Sequence, residues 1–147
     1  MATVDRILDV AELRMRRSGY HAVSFRDLAT EIGIKSASIH YYFPQKADLG
    51  RELVARYADR FLQSLDAALA VEPGAGHPDP RHLDPTDNMR AARLNPRRAS
   101  VLRRVYFEAL IEGEAPCLCG VLGGEAGGFP PELGAQITAF LSDRRIG

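Results

Sequence analysis

The residues with most to offer chemically crowd into one short stretch. Lys35, Ser36, Ala37, Ser38, His40, Tyr41 and Tyr42 follow closely on one another, and Lys46 comes just after. They bring hydroxyls, an imidazole and two ammonium groups, with no acidic residue among them. Such groups donate to phosphate oxygens and base edges, and a phosphate-lined groove does not repel them. The chemistry indicated is recognition of duplex DNA. A competing use for Tyr41 and Tyr42 is to cover a small core; agreement across the whole set favours the DNA-facing reading. Lys46 could be an ordinary surface lysine. Its place at the first turn of a helix, just behind the tyrosines, favours a phosphate contact.

Catalysis has little to stand on. No nucleophile, base and acid fall into a recognisable pattern, and the glycines of 120–128 do not follow a strand. His77 and His82 lie in a segment without a cysteine or third histidine nearby, so a solvated loop is the better reading than a metal site. No cofactor, metal or enzymatic activity is expected. The two cysteines, Cys117 and Cys119, are too few for a disulfide framework. Their i, i+2 spacing points them to nearly opposite sides of a helix, which disfavours a mutual bond. A thiol switch at either one is an alternative; inert buried cysteines are the commoner case.

The elements that must hold the reactive stretch are legible around it. Ser24 is an N-cap, with Asp27 at the acid position of a capping box. Phe25, Leu28, Ala29 and Ile32 recur at helical spacing, and Gly33 supplies the exit. Ile34 plugs the turn, Ser36 is expected to cap a second helix, and Ile39 and Phe43 carry its buried side. Pro44 stops it. This is the helix-turn-helix pattern, whose second helix lies in the major groove. Before it, Thr3 is expected to cap a helix running to about Ser18, with Val4, Ile7, Leu8, Ala11 and Met15 as its apolar stripe. Arg14, Arg16 and Arg17 read as solvated cations at its end.

After it, a long helix is expected from Gln45 to about Ala70. Leu49, Leu53, Tyr57, Leu62, Leu65 and Leu69, with Val54, Ala58 and Phe61, form its stripe. It is too long to serve a small front module alone and would join that module to the second half of the chain. Residues 72–86 hold four prolines and two glycines and read as a loop. A helix from Thr86 or Asp87 stops before Pro96. Another, Arg97 to Glu112, puts Val101, Leu102, Val105, Tyr106, Ala109 and Leu110 on one side. Its Arg97, Arg98, Arg103 and Arg104 read as a solvated face rather than a second nucleic-acid surface. Pro131 opens a last helix with the stripe Leu133, Ile137, Phe140 and Leu141, which has little of the chain left to pack on.

The chain has 147 residues, formal net charge zero and a pI near 6.9. A binder relying on bulk charge would be basic, so DNA contact must rest on local placement. Residues 1–60 carry ten Lys or Arg against eight Asp or Glu, and residues 61–147 carry nine against eleven. Asp5, Arg6, Asp9 and Glu12 break any apolar signal core, and no run is long enough for a membrane span. A cytoplasmic protein without membrane contact is expected.

Residues 3–49 resemble the DNA-binding domain of the tetracycline-repressor (TetR) family of bacterial transcriptional regulators. The resemblance runs through Ile7-Leu8 with Ala11, Gly19-Tyr20, Ser24-Phe25-Arg26-Asp27-Leu28-Ala29, Gly33-Ile34 and Ser38-Ile39. It ends with Phe43-Pro44-Gln45-Lys46-Ala47-Asp48-Leu49. His40 departs from the tyrosine common at its position. The resemblance implies phosphate contacts near Arg26, Tyr41 and Lys46, and base-edge contacts from Ala37, Ser38 and His40. Ser24, Lys35, Ser36 and Tyr42 complete the candidate DNA-binding set. The fold implied is all-α: a three-helix helix-turn-helix domain over 1–48, joined by a long helix to a partial helical ligand-binding and dimerisation domain over 49–147.

Cys117 to Glu125 and Pro130 to Leu133 resemble a helix and turn of one family subgroup. Residues 91–104 are more Arg-rich than the family pattern, and Gly147 falls short of a usual member's length. The expectation is a shortened second domain. The function implied is a repressor that a small-molecule effector releases from operator DNA, acting as a homodimer if the remaining helices suffice. Phe61, Tyr106, Leu110, Cys117, Leu118 and Leu122 are the candidate effector site. The alternatives are a thiol-sensing regulator acting through Cys117 or Cys119, and a truncated remnant without regulatory function.

Overall fold

The computed structural model describes residues 2–71, 96–112, 115–125 and 127–143. The expected 72–86 loop with His77 and His82, and the expected helix before Pro96, lie outside the described residues. Within them the chain is all-α: α1 (Thr3–Ser18), α2 (Phe25–Ile32), α3 (Ser36–Tyr42), α4 (Lys46–Val71), α5 (Pro96–Glu112), α6 (Leu118–Gly124) and α7 (Pro131–Leu141).

The apolar stripes become the core. Ile7, Leu8, Ala11 and Met15 of α1 are buried, as are Phe25, Leu28, Ala29 and Ile32 of α2. Ile39 is the one buried residue of α3. Leu49, Leu53, Val54, Tyr57, Phe61 and Leu65 of α4 are buried in turn. Burying one such side chain is worth about 1.5–3 kcal/mol, so α4 is the spine of the molecule. It packs on α1, α5 and α7, while α1 also meets α2 and α6. Two ion pairs staple α4 to α1: Arg56–Asp9 at 2.7 Å and Arg60–Glu12 at 2.5 Å.

Several local expectations are corrected. Thr3 and Ser36 are first helical residues rather than caps. Ala2 and Lys35 hold the extended cap positions, and neither makes a side-chain cap bond. Arg16 is not a solvated end-of-helix cation. It is buried, with Nε donating to Pro116 O and Nη2 to Ala115 O, both at 2.7 Å. Those carbonyls come from the segment before α6, a partner about 100 residues away that helix-end rules cannot see. The stripe of α7 does find a surface: Leu133, Ile137 and Phe140 are buried, and the Phe140 ring meets the edges or faces of Tyr57 and Phe61 on α4. Gly50 of α4 makes room there, since a Cβ would come 2.9 Å from Leu133 Cδ2 and 3.0 Å from Tyr20 Cε2.

Candidate nucleic-acid interface

The frame of α2 and α3 is set by its turn. Ser24 Oγ accepts the Asp27 N–H at 3.1 Å and donates to Asp27 Oδ2 at 2.6 Å. This satisfies an orphan donor of the helix start. The carboxylate meets the hydroxyl of Ser24 rather than its backbone N–H. Gly33 then takes the left-handed conformation, φ 78° and ψ 35°, and both Gly33 N–H and Ile34 N–H return to Ala29 O. Arg6 Nη2 donates to Ile32 O at 3.2 Å, tying α1 to the end of α2. The orientation of α3 is thereby fixed from two sides.

With Ile39 facing the core, α3 turns Ala37, His40, Tyr41 and Tyr42 outward. Tyr41 is 81% exposed, and the rings of Tyr41 and Tyr42 meet edge to face at 5.2 Å. Ser36 and Ser38 are half-buried and Lys35 is exposed. The His40 ring rests against Phe25 at 4.8 Å, and its Nδ1 lies 3.4 Å from Pro44 O. An Nδ1–H donating there leaves Nε2 outward as an acceptor. One open groove runs between Thr3, Ile34, Lys35, Ala37, Ser38, Tyr41 and Tyr42. Thr3 is the residue sequence reasoning missed: only the packing of α1 brings it beside α3.

The other candidates sit around this face in different ways. Arg26 is exposed on α2, whereas the Ser24 hydroxyl is committed to its cap. Lys46 opens α4 and is half-buried. Its Nζ donates to His21 O at 3.2 Å and lies 4.6 Å above the Tyr20 ring. Burial pushes its ammonium below the usual lysine value, while the negative charge of Glu125 pulls the other way. An ammonium has three donors, and the His21 carbonyl takes one of them.

The candidate effector residues divide. Leu118 and Leu122 join Val54, Tyr57, Ile137 and Phe140 around a space of about 10 Å³, the room of one water. Phe61 and Tyr106 pack on each other beside it, with centroids 4.8 Å apart. Cys117 is half-buried, 3.0 Å from the Tyr57 hydroxyl. Leu110 is 44% exposed on the outer side of α5, with Phe107 and Ile111, away from that cluster. The expected one-sided stripe of α5 is buried in part: Val101 and Val105 are buried and Leu102 and Tyr106 half-buried, whereas Leu110 is exposed.

Comparison with known proteins agrees with this geometry. Residues 7–53 match the family described as bacterial regulatory proteins, tetR family. Over 68 residues the chain is 28% identical to a probable HTH-type transcriptional regulator, YttP, of Bacillus subtilis (strain 168). That stretch is 46% of this chain and 33% of the relative, so the chain spans about a third of its length. A TetR transcriptional regulator from Legionella pneumophila superposes with a TM-score of 0.69 at 27% identity, over 96% of this chain and 66% of that one. A TetR-family transcriptional regulator from Agrobacterium tumefaciens does so at 0.67 and 25%, over 93% and 62%. The helix-turn-helix frame, the matched segment and the arrangement of helices agree: residues 7–53 match the tetR family of bacterial regulatory proteins, and the helices of the chain are arranged as in solved TetR regulators.

Proposed function

We propose that this chain is a DNA-binding transcriptional repressor, with residues 1–48 as the reading domain and 49–147 as the effector and dimerisation domain. The observation that carries the reading is α3 itself: a short helix seated on the core through Ile39, showing Ala37, His40, Tyr41 and Tyr42 to solvent with no acid among them. His40 Nε2 and the Ser38 hydroxyl suit base edges. Lys35, Arg26, Tyr41, Tyr42 and Lys46 suit the flanking phosphates. Ser24 supports the frame through its cap, and Ser36 opens α3 beside Lys35. Two such helices reach successive major grooves when a homodimer presents them about 34–36 Å apart.

Release by a small effector fits the apolar cluster of Leu118, Leu122, Phe61 and Tyr106, with Cys117 at its edge. Drug-sized ligands occupy about 300–1,000 Å³, so an effector would enter there by displacing α6 or α7. Displacement then lowers DNA affinity through unequal binding to two arrangements. The deciding experiment is fluorescence anisotropy of the intact protein with duplexes from the DNA flanking its own gene. Binding that prefers one duplex and weakens steeply with salt supports the reading; equal binding to all duplexes, or none, rejects it.

A further inference from the structure

A carboxylate from the second half of the chain reaches into the reading head. Glu125, just past α6, accepts the backbone N–H of Tyr20 through Oε2 at 2.8 Å. Gly19 makes this possible. Its φ is 85°, and a Cβ there would overlap the Glu125 carboxylate. The same turn presses further along the loop. The Phe129 ring stacks on His21, with centroids 5.8 Å apart and planes 15° apart, and meets Tyr20 edge-on at 5.3 Å. A Cβ on Gly128 would come 2.6 Å from His21 Nε2. The loop so gripped is the one that holds Lys46, through the His21 carbonyl and the Tyr20 ring.

We propose that Glu125 is a positioning residue for the Lys46 phosphate contact: by fixing the Gly19–His21 loop, it places the carbonyl and ring that aim the ammonium at DNA. This rests on the DNA-binding reading above. A loop left unfixed would let Lys46 sample other rotamers, and ordering a long side chain costs entropy at the moment of binding. Prior fixation removes that cost. Glu125 touches no DNA in this arrangement; it acts through the loop it holds, and its charge also favours the Lys46 ammonium.

The test has two arms on the full chain. Hydrogen exchange is measured for Glu125→Ala and Glu125→Gln. The alanine variant is expected to speed exchange at Tyr20 while α5 and α7 keep their protection. The glutamine variant, whose amide oxygen still accepts the bond, is expected to stay near the unsubstituted protein. Affinity for a duplex from the DNA flanking the gene is then measured in a double-mutant cycle with Lys46→Ala. Glu125→Ala should weaken binding roughly threefold to tenfold, the scale of one lost hydrogen bond, and should have no further effect once Lys46 is alanine. Equal losses in both backgrounds, or unchanged exchange at Tyr20, overturn the inference alone. No binding by the unsubstituted chain overturns the regulator reading, and this inference with it.

Discussion

Tyr41 keeps most of its ring in water, so its removal should barely touch the fold. Tyr41→Ala is expected to change stability by no more than about 0.5 kcal/mol while weakening DNA binding. His40→Ala should act differently, relaxing the preference for one base pair by about 1–3 kcal/mol. Parallel melting and binding curves over a set of single-base variants separate the two effects. Gly33 invites the opposite experiment. Nothing lies within 4 Å of a Cβ there, yet φ is positive. Gly33→Ala should therefore cost about 1–2 kcal/mol from backbone conformation alone, read as a lower urea midpoint. Tyr20 reports on its own surroundings. Burial raises its phenol above the usual 10.0, and the charge of Asp48 adds to the rise. The folded protein thus holds that proton longer than the unfolded chain, so the contribution is full below pH 10.0 and is lost as pH climbs through the raised value. Asp48→Asn should bring the phenol part of the way down, and spectrophotometric titration would show a fixed value if Asp48 plays no part.

Among the helices, packing decides what spacing suggests. The stripes of α1, α2 and α4 were legible because each is apolar at positions three and four apart, and most of the same residues are buried, with Val4, Ala58, Leu62 and Leu69 half-buried. The outer face of α3 was legible for the complementary reason: once Ile39 must face inward, Ala37, His40, Tyr41 and Tyr42 face out. The partners across the fold could not be read that way. Glu12, Arg16, Gly50 and Glu125 all look like ordinary surface or helix-end residues. Their roles come from α4, α6 or α7 arriving from far along the chain. Arg16 offers the sharpest check. Arg16→Met keeps much of the stem but strands the carbonyls of Ala115 and Pro116, and should cost about 1–3 kcal/mol in urea unfolding. A change near zero would mean water serves those carbonyls equally well. Leu53→Ala, in the fully buried middle of the spine, should cost about 2–5 kcal/mol.

For the molecule as a whole, the proposed function requires two reading heads. Sedimentation at micromolar concentration is expected to give twice the 16.1 kDa chain mass, and footprinting to show protection on two successive major grooves. A single-chain mass with one protected groove would reject paired reading. The contacts of Arg16 and Glu125 also carry a consequence for how the protein is made. They join residues 99 to 105 positions apart, so the front helices complete their surroundings only after the far segment leaves the ribosome. At about 5–20 residues per second that delay is on the order of 5–20 s. For that interval the nascent front module carries a guanidinium without its carbonyl partners and a loop without its clasp. Pausing or early termination of translation between α1 and α6 would therefore prolong the exposure of this module to chaperones and proteases.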